Sequence, residues 1–154
     1  MTEQISPEYD SRLDTIDHIK SVQELLRQFS NELSARGINH DDSKLREPEK
    51  SMFDKYVPKL QACVYGSDEY KQNLIGMGEA LEHHYAKNSH HPEHYHDGIN
   101  DMDLLDIIEM FYDWKAAISR MPDGDMRESV EINAVRFSMN DQLKRVFLNT
   151  INRS

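Results

Sequence analysis

The sequence predicts an all-α protein, an irregular bundle of five to six helices, and three observations carry that prediction. Apolar residues recur at three- and four-residue steps along several long stretches, the period of one helix face. The composition favours Leu, Met, Glu, Lys, Gln and Asp over the glycine-rich, β-branched pattern of an all-β chain. With 38% hydrophobic and 30% charged residues and a mean hydropathy of -0.78, the chain reads as a polar globular protein with large solvated faces. Its 154 residues suffice for one domain over 1–154, with a core that needs no disulfide or metal staple.

The first helix is expected from about Ser11 to Arg36, where Ile16, Ile19, Val22, Leu26, Phe29 and Leu33 define one face and Gly37 supplies the stop. His18 falls at the edge of that stripe, beside Val22, Leu25 and Phe29, so it is expected to point inward. A short connection then carries His40-Asp41-Asp42-Ser43-Lys44 into a helix start. Asp41, Asp42 or Ser43 can cap it, but capping explains only one acid. Neighbouring His and Asp side chains reach one cation only where the backbone bends, as it does at such a start.

The second helix restarts near Glu49 and continues through Met52, Phe53, Tyr56, Val57 and Leu60, with Pro58 kinking or ending it. Gly66-Ser67-Asp68-Glu69 is a turn and N-cap for a third helix to about Lys87. Along it, Tyr70, Leu74, Met77, Leu81 and His84 form the core stripe. Gly76, Ala80 and His83 form a second line, where small side chains permit close approach of another element. His84 is the stronger ligand of the adjacent pair. Asn88 to Asn100, with its Gly and Pro breakers, is a loop whose histidines no core requires.

From Asp101 to about Arg120 lies the most apolar and hence central helix, with Leu104, Leu105, Ile107, Ile108, Met110, Phe111, Trp114 and Ile118. Asp106, Glu109 and Asp113 share its remaining sector, as a solvated acidic face or as the wall of an internal polar cavity. Asp125 or Ser129 opens a final helical region, broken near Asn140-Asp141, whose apolar residues only pack.

The formal net charge of -10 argues against nucleic-acid duplexes and anionic membranes, which need a basic surface, and favours cations as partners. A single cysteine, Cys63, excludes a disulfide framework or a thiolate zinc site. Met1 to Ser6 has neither a basic nor an apolar signal region, so the expected location is cytoplasmic. An oligomer is left open.

Six of the eight histidines lie between His83 and His96. That density, with His18, His40-Asp41 and Asp113 elsewhere, points to a metal centre. Its candidate ligands are His18, His40, Asp41, His84, His90, His91 and Asp113; His94 and His96 are bystanders. Imidazoles and carboxylates without thiolates suit Mn, Fe, Co, Ni or Zn, as one or two ions, with Asp41 able to bridge a pair. Lys44, Asn88, Glu93 and Glu109 are the candidate supporting and catalytic residues. Lys44 would neutralise charge on a phosphate, and Asn88 or Glu93 would orient ligands.

The order His18, His40-Asp41 and Asp113, with histidines between, resembles the HD-domain superfamily of metal-dependent phosphohydrolases. His40-Asp41-Asp42-Ser43-Lys44 is similar to its His-Asp-x-x-Lys segment, although Asp42-Ser43 replaces a small apolar-Gly pair. The resemblance implies an HD-like helical fold that hydrolyses a small phosphorylated substrate, a nucleotide foremost. The motifs His-Asp-x-Ser-Lys (40–44), His-x3-Asn-x-His-His-Pro-Glu (84–93) and Glu-Met-x-x-Asp-Trp-Lys-Ala-Ala (109–117) also resemble a small family of uncharacterised phage and bacterial proteins. Two alternatives stand beside hydrolysis: a di-iron, oxygen-activating HD-like protein, and a non-catalytic, metal-stabilised interaction protein of phage type.

Overall fold

Six α-helices follow one another along residues 9–64 and 66–153, the residues that the computed structural model describes. They are α1 (Arg12–Asn39), α2 (Glu49–Ala62), α3 (Asp68–Lys87), α4 (Leu104–Ile118), α5 (Met126–Arg136) and α6 (Asp141–Ile151). Short 3-10 turns occupy Asp42–Leu45, Pro92–His94 and Gly98–Asp101, and there is no strand among the described residues. The expected all-α bundle is therefore the observed one. Met1 to Ser6 lies outside the described residues, and no helix among them is long and apolar enough to cross a membrane.

Side-chain caps set four of the helix starts. Ser67 accepts from the Tyr70 amide, Asp125 from that of Arg127 and Asn140 from that of Leu143. Asp103 and Asp106 form a reciprocal capping box, so α4 begins at Leu104 rather than at Asp101. Two interior details depart from the periodicity. Gly37 does not stop α1, which continues to Asn39 and ends where Asp41 takes the left-handed conformation (φ 56°, ψ 17°). Gly78 interrupts α3 at φ 40°, ψ -118°, a backbone state open in practice to glycine alone, which a repeating apolar stripe cannot reveal.

The hydrophobic core lies where α4 meets α5 and α6. Met110 and Phe111 of α4 pack with Val130, Ala134, Met139 and Phe147. Trp114 stacks on Phe137 at 6.2 Å and meets Phe147 edge-on. On the other side, α2 and α3 pack as a pair. A Cβ on Gly76 would come within 2.5 Å of the Tyr56 hydroxyl, so the Gly76-Ala80-His83 line is the face on which α2 sits. α1 is different: none of its residues is buried, and only its C-terminal turns lean on α4. This corrects the expectation for His18. It is exposed, and at 1.5 Å rise per residue it stands roughly 30 Å along the helix from Asn39.

Candidate metal centre

Four parts of the chain converge on one point. The turn after α1 brings His40 and Asp41, the last turn of α3 brings His84, the following loop brings His90 and His91, and α4 brings Asp113. The left-handed Asp41 supplies the bend that lets two consecutive side chains face the same centre. His40 Nε2 lies 3.3 Å from Asp113 Oδ1 and 3.6 Å from Asp41 Oδ2. Asp41 Oδ1 lies 3.4 Å from His84 Nε2 and 3.5 Å from His90 Nε2, and His84 Nε2 is 2.9 Å from His91 Nε2. Ligands about 2.1 Å from a shared cation stand roughly 3.0 to 3.4 Å apart at octahedral or tetrahedral angles. The cluster thus has the spacing of a coordination shell. His40, His90 and Asp113, and equally Asp41, His90 and His91, present ligand atoms within 4.8 Å of one another.

Behind these side chains stand two carboxylates. Glu109 Oε1 accepts from His40 Nδ1 at 2.8 Å and lies 3.1 Å from His90 Nδ1, while its Oε2 takes Arg36 Nε at 2.5 Å. Glu49, fully buried, receives His84 Nδ1 at 2.9 Å and His83 Nδ1 at 2.7 Å. Carboxylates accept hydrogen bonds, so they hold protons on the outer ring nitrogens and turn the Nε2 atoms toward the centre, the usual support of metal-binding histidines. Two inward atoms, Asp41 Oδ1 and His90 Nε2, are buried and have no hydrogen-bond partner.

The charges are arranged to compensate. Hydrogen bonds to Asp113 and Glu109 raise the His40 pKa to about 10 against the cost of burial. Burial lowers His91 to about 3, helped by the neighbouring His90 and His84, and burial followed by Lys44 lowers His84. Burial pushes Asp41 up, but the charge and hydrogen bond of Lys44 outweigh it, and the net shift is down. Asp113 and Glu109 are likewise lowered overall: His40 overcomes burial in the first, and His40, His90 and Arg36 do so in the second.

Of the seven predicted ligands, His40, Asp41, His84, His90, His91 and Asp113 come together, and His18 does not. Lys44 Nζ donates to Asp41 Oδ2 at 2.6 Å. Asn88 Nδ2 donates to Ser43 Oγ and to the His84 carbonyl, both at 2.8 Å, tying the His-Asp turn to α3. Glu93 is a second correction: it pairs with Arg136 at 2.7 Å, drawn there by charge rather than toward the histidines. His94 bonds the Tyr85 carbonyl, and His96 is exposed. The acidic sector of α4 faces inward. Asp106 is buried and receives Arg36, Ser89 and Tyr95. Sequence reasoning missed Glu49 and Arg36; the only signal for Glu49 was the small-residue line of α3 leading to His83.

A cavity of about 480 Å³ adjoins the cluster at His91 and Asp113, with Tyr70, Tyr85, Trp114 and Arg136 in its walls. Fold and site together define an all-helical protein with a four-histidine, two-aspartate cluster at the edge of a cavity. The model of a family of unknown function, DUF5662, matches residues 7–153, across all three motifs, and the chain belongs to that family. No curated protein and no solved structure matches it.

Proposed function

We propose that the cluster binds one or two divalent transition-metal ions and that the protein hydrolyses a small phosphate ester there, a nucleotide foremost. The observation that carries this reading is the buried, unpartnered pair Asp41 Oδ1 and His90 Nε2 beside an accessible cavity. Leaving such groups unsatisfied costs about 1–3 kcal/mol each, a cost that a shared cation removes. The mixed nitrogen and oxygen donors suit Mn, Fe, Co, Ni or Zn better than an all-oxygen Ca²⁺ cage. His40, His90 and Asp113 form one group of neighbouring ligand atoms and Asp41, His90 and His91 another, and together these residues would hold one or two ions.

A divalent cation in this position supplies a water of lowered pKa and a positive charge for a phosphoryl oxygen. The chain's own residues do the rest. Glu109 and Glu49 fix the ring orientations, and Asn88 holds the His-Asp turn on α3. Lys44, at the edge of Asp41, meets the charge that grows on the phosphoryl group. The cavity takes the leaving group between aromatic walls, which favours an open catalytic site over a closed structural one. The residues that carry the resemblance to the HD-domain superfamily divide: His40-Asp41 and Asp113 lie in the cluster, and His18 lies outside it.

The test is elemental analysis of purified protein combined with a phosphoester panel. One to two ions per chain and phosphate release are expected. Absence of metal would remove the site. Bound metal without release from nucleotides, cyclic nucleotides or aryl phosphates would remove hydrolysis, and iron with oxygen consumption would replace it by the oxidative chemistry.

A further inference from the structure

The apolar stripe of α1 outruns the body of the protein. Phe29 and Leu33 are half-buried, whereas Ile16, Ile19, Val22, Leu25 and Leu26 are 39 to 64% exposed. Those five side chains present on the order of 500 Å² of apolar surface, the upper end of what one patch on a monomer carries. Ile19, Val22, Leu26, Phe29 and Leu33 are separated by alternating steps of three and four residues, the seam of a coiled coil.

We infer that α1 pairs antiparallel with α1 of a second copy of this chain, about a twofold axis at Glu24. In that register Ile19 lies opposite the partner's Phe29 and Val22 opposite the partner's Leu26. The flanking positions match as well: Leu25 meets the partner's Leu25, Gln23 the partner's Gln23 and Ile16 the partner's Ser30. His18, which has no place in the metal centre, meets the partner's Glu32. Among these pairs no like charges face each other; at the helix ends the same register sets Arg12 opposite the partner's Arg36, whose charge Glu109 and Asp106 already meet. A parallel pairing would instead set Leu25 against Ser30 and bring two bodies side by side, each part of a chain of net charge -10; the antiparallel one holds them at opposite ends.

The seam also runs into an open groove of about 370 Å³ between α1 and α4, with Leu33, Gly37, Ile108, Tyr112 and Ala116 in its walls and His40, Glu109 and Asp113 of the candidate metal centre beside them. The small residues Gly37 and Ala116 leave room for the first turns of the partner's α1. Covering stripe and groove on both copies removes on the order of 1,200 Å² from water, the area at which specific interfaces begin.

Sedimentation of the full chain between 1 and 100 µM is the test, and it is independent of any activity. A dimer is expected across most of that range. Ile19→Glu combined with Leu26→Glu should give a monomer with unchanged helical circular dichroism, since neither side chain is buried in the monomer. His18→Glu should weaken the dimer about tenfold, and adding Glu32→Lys should restore it. A wild-type monomer throughout, or a dimer indifferent to the Ile19 and Leu26 changes, would overturn the inference. A dimer that those changes break but that ignores the His18 and Glu32 exchange would overturn the antiparallel register.

Discussion

Asp41 Oδ1 stands 3.5 Å from His90 Nε2, and both are buried atoms without a hydrogen-bond partner. Replacing Asp41 by Asn keeps the shape and tolerates the left-handed backbone, but it removes the charge between the histidines. Asp41→Asn should weaken metal binding by more than roughly 100-fold, beyond the loss typical of supporting residues. Competition against a chromophoric chelator measures it. Unchanged affinity would mean that the pair is satisfied by something other than a cation.

The acids of α4 separate into two roles that mutation can distinguish. Asp113 faces His40 Nε2, whereas Asp106 holds Arg36, Ser89 and Tyr95. Asp113→Asn should therefore cost metal affinity foremost, with a loss of stability confined to its contact with His40. Asp106→Asn should do the reverse, lowering stability by about 1–3 kcal/mol through its buried hydrogen bonds. Glu109→Gln should fall between, weakening the metal by about 10- to 100-fold because it supports His40 and His90 without touching the centre. If both aspartate variants lost affinity equally, the division of labour along α4 would be wrong.

Much of this was legible in the sequence because periodicity and spacing are local properties. The 3-4 pattern located the first four helices, caps and the break near Asn140-Asp141 marked the last two, and a histidine in a loop without a packing role, such as His90, had few explanations other than chemistry. The failures at the site are tertiary. His18 looked inward because it borders an apolar stripe, but the stripe outlasts the helix it packs against, and nothing local encodes where α4 stops. Glu49 was hidden because a carboxylate in the first turn of a helix is ordinarily a solvated dipole partner. Only the close approach of α2 to α3 at Gly76 sinks it beneath His83 and His84.

Metal affinity should rise with pH. In the metal-free protein His40 is protonated at neutral pH, because Asp113 and Glu109 raise its pKa to about 10. A cation at Nε2 must displace that proton, so affinity climbs by up to about tenfold per pH unit and levels off above pH 10. The metal-free protein has the opposite dependence at this residue. The raised pKa contributes stability in full below the ordinary value of 6.5 and loses it as pH rises through about 10. The lowered Asp41, Glu109 and Asp113 contribute above the ordinary carboxylate range and lose it on acidification. Urea melts with and without metal should therefore diverge as pH increases, and parallel curves would remove the proton exchange.

Lys44 offers the sharpest separation between holding the metal and using it. Its ammonium donates to the outer oxygen of Asp41 and packs over the Phe53 ring, so it adds positive charge beside the centre without supplying a ligand. Lys44→Met keeps much of the stem's volume and removes the charge. Relieved of that repulsion, the centre should bind a divalent cation as well as before or better. Hydrolysis should nevertheless slow by about 100-fold or more, the scale on which one preorganised charge acts on a transition state. The loss should appear in kcat at saturating metal, where weakened loading cannot account for it. If affinity and kcat instead fell together and both recovered at high metal concentration, Lys44 would be a positioning residue for Asp41 and the charge on the phosphoryl group would have to be met from elsewhere, with the Arg136 guanidinium in the cavity wall a candidate.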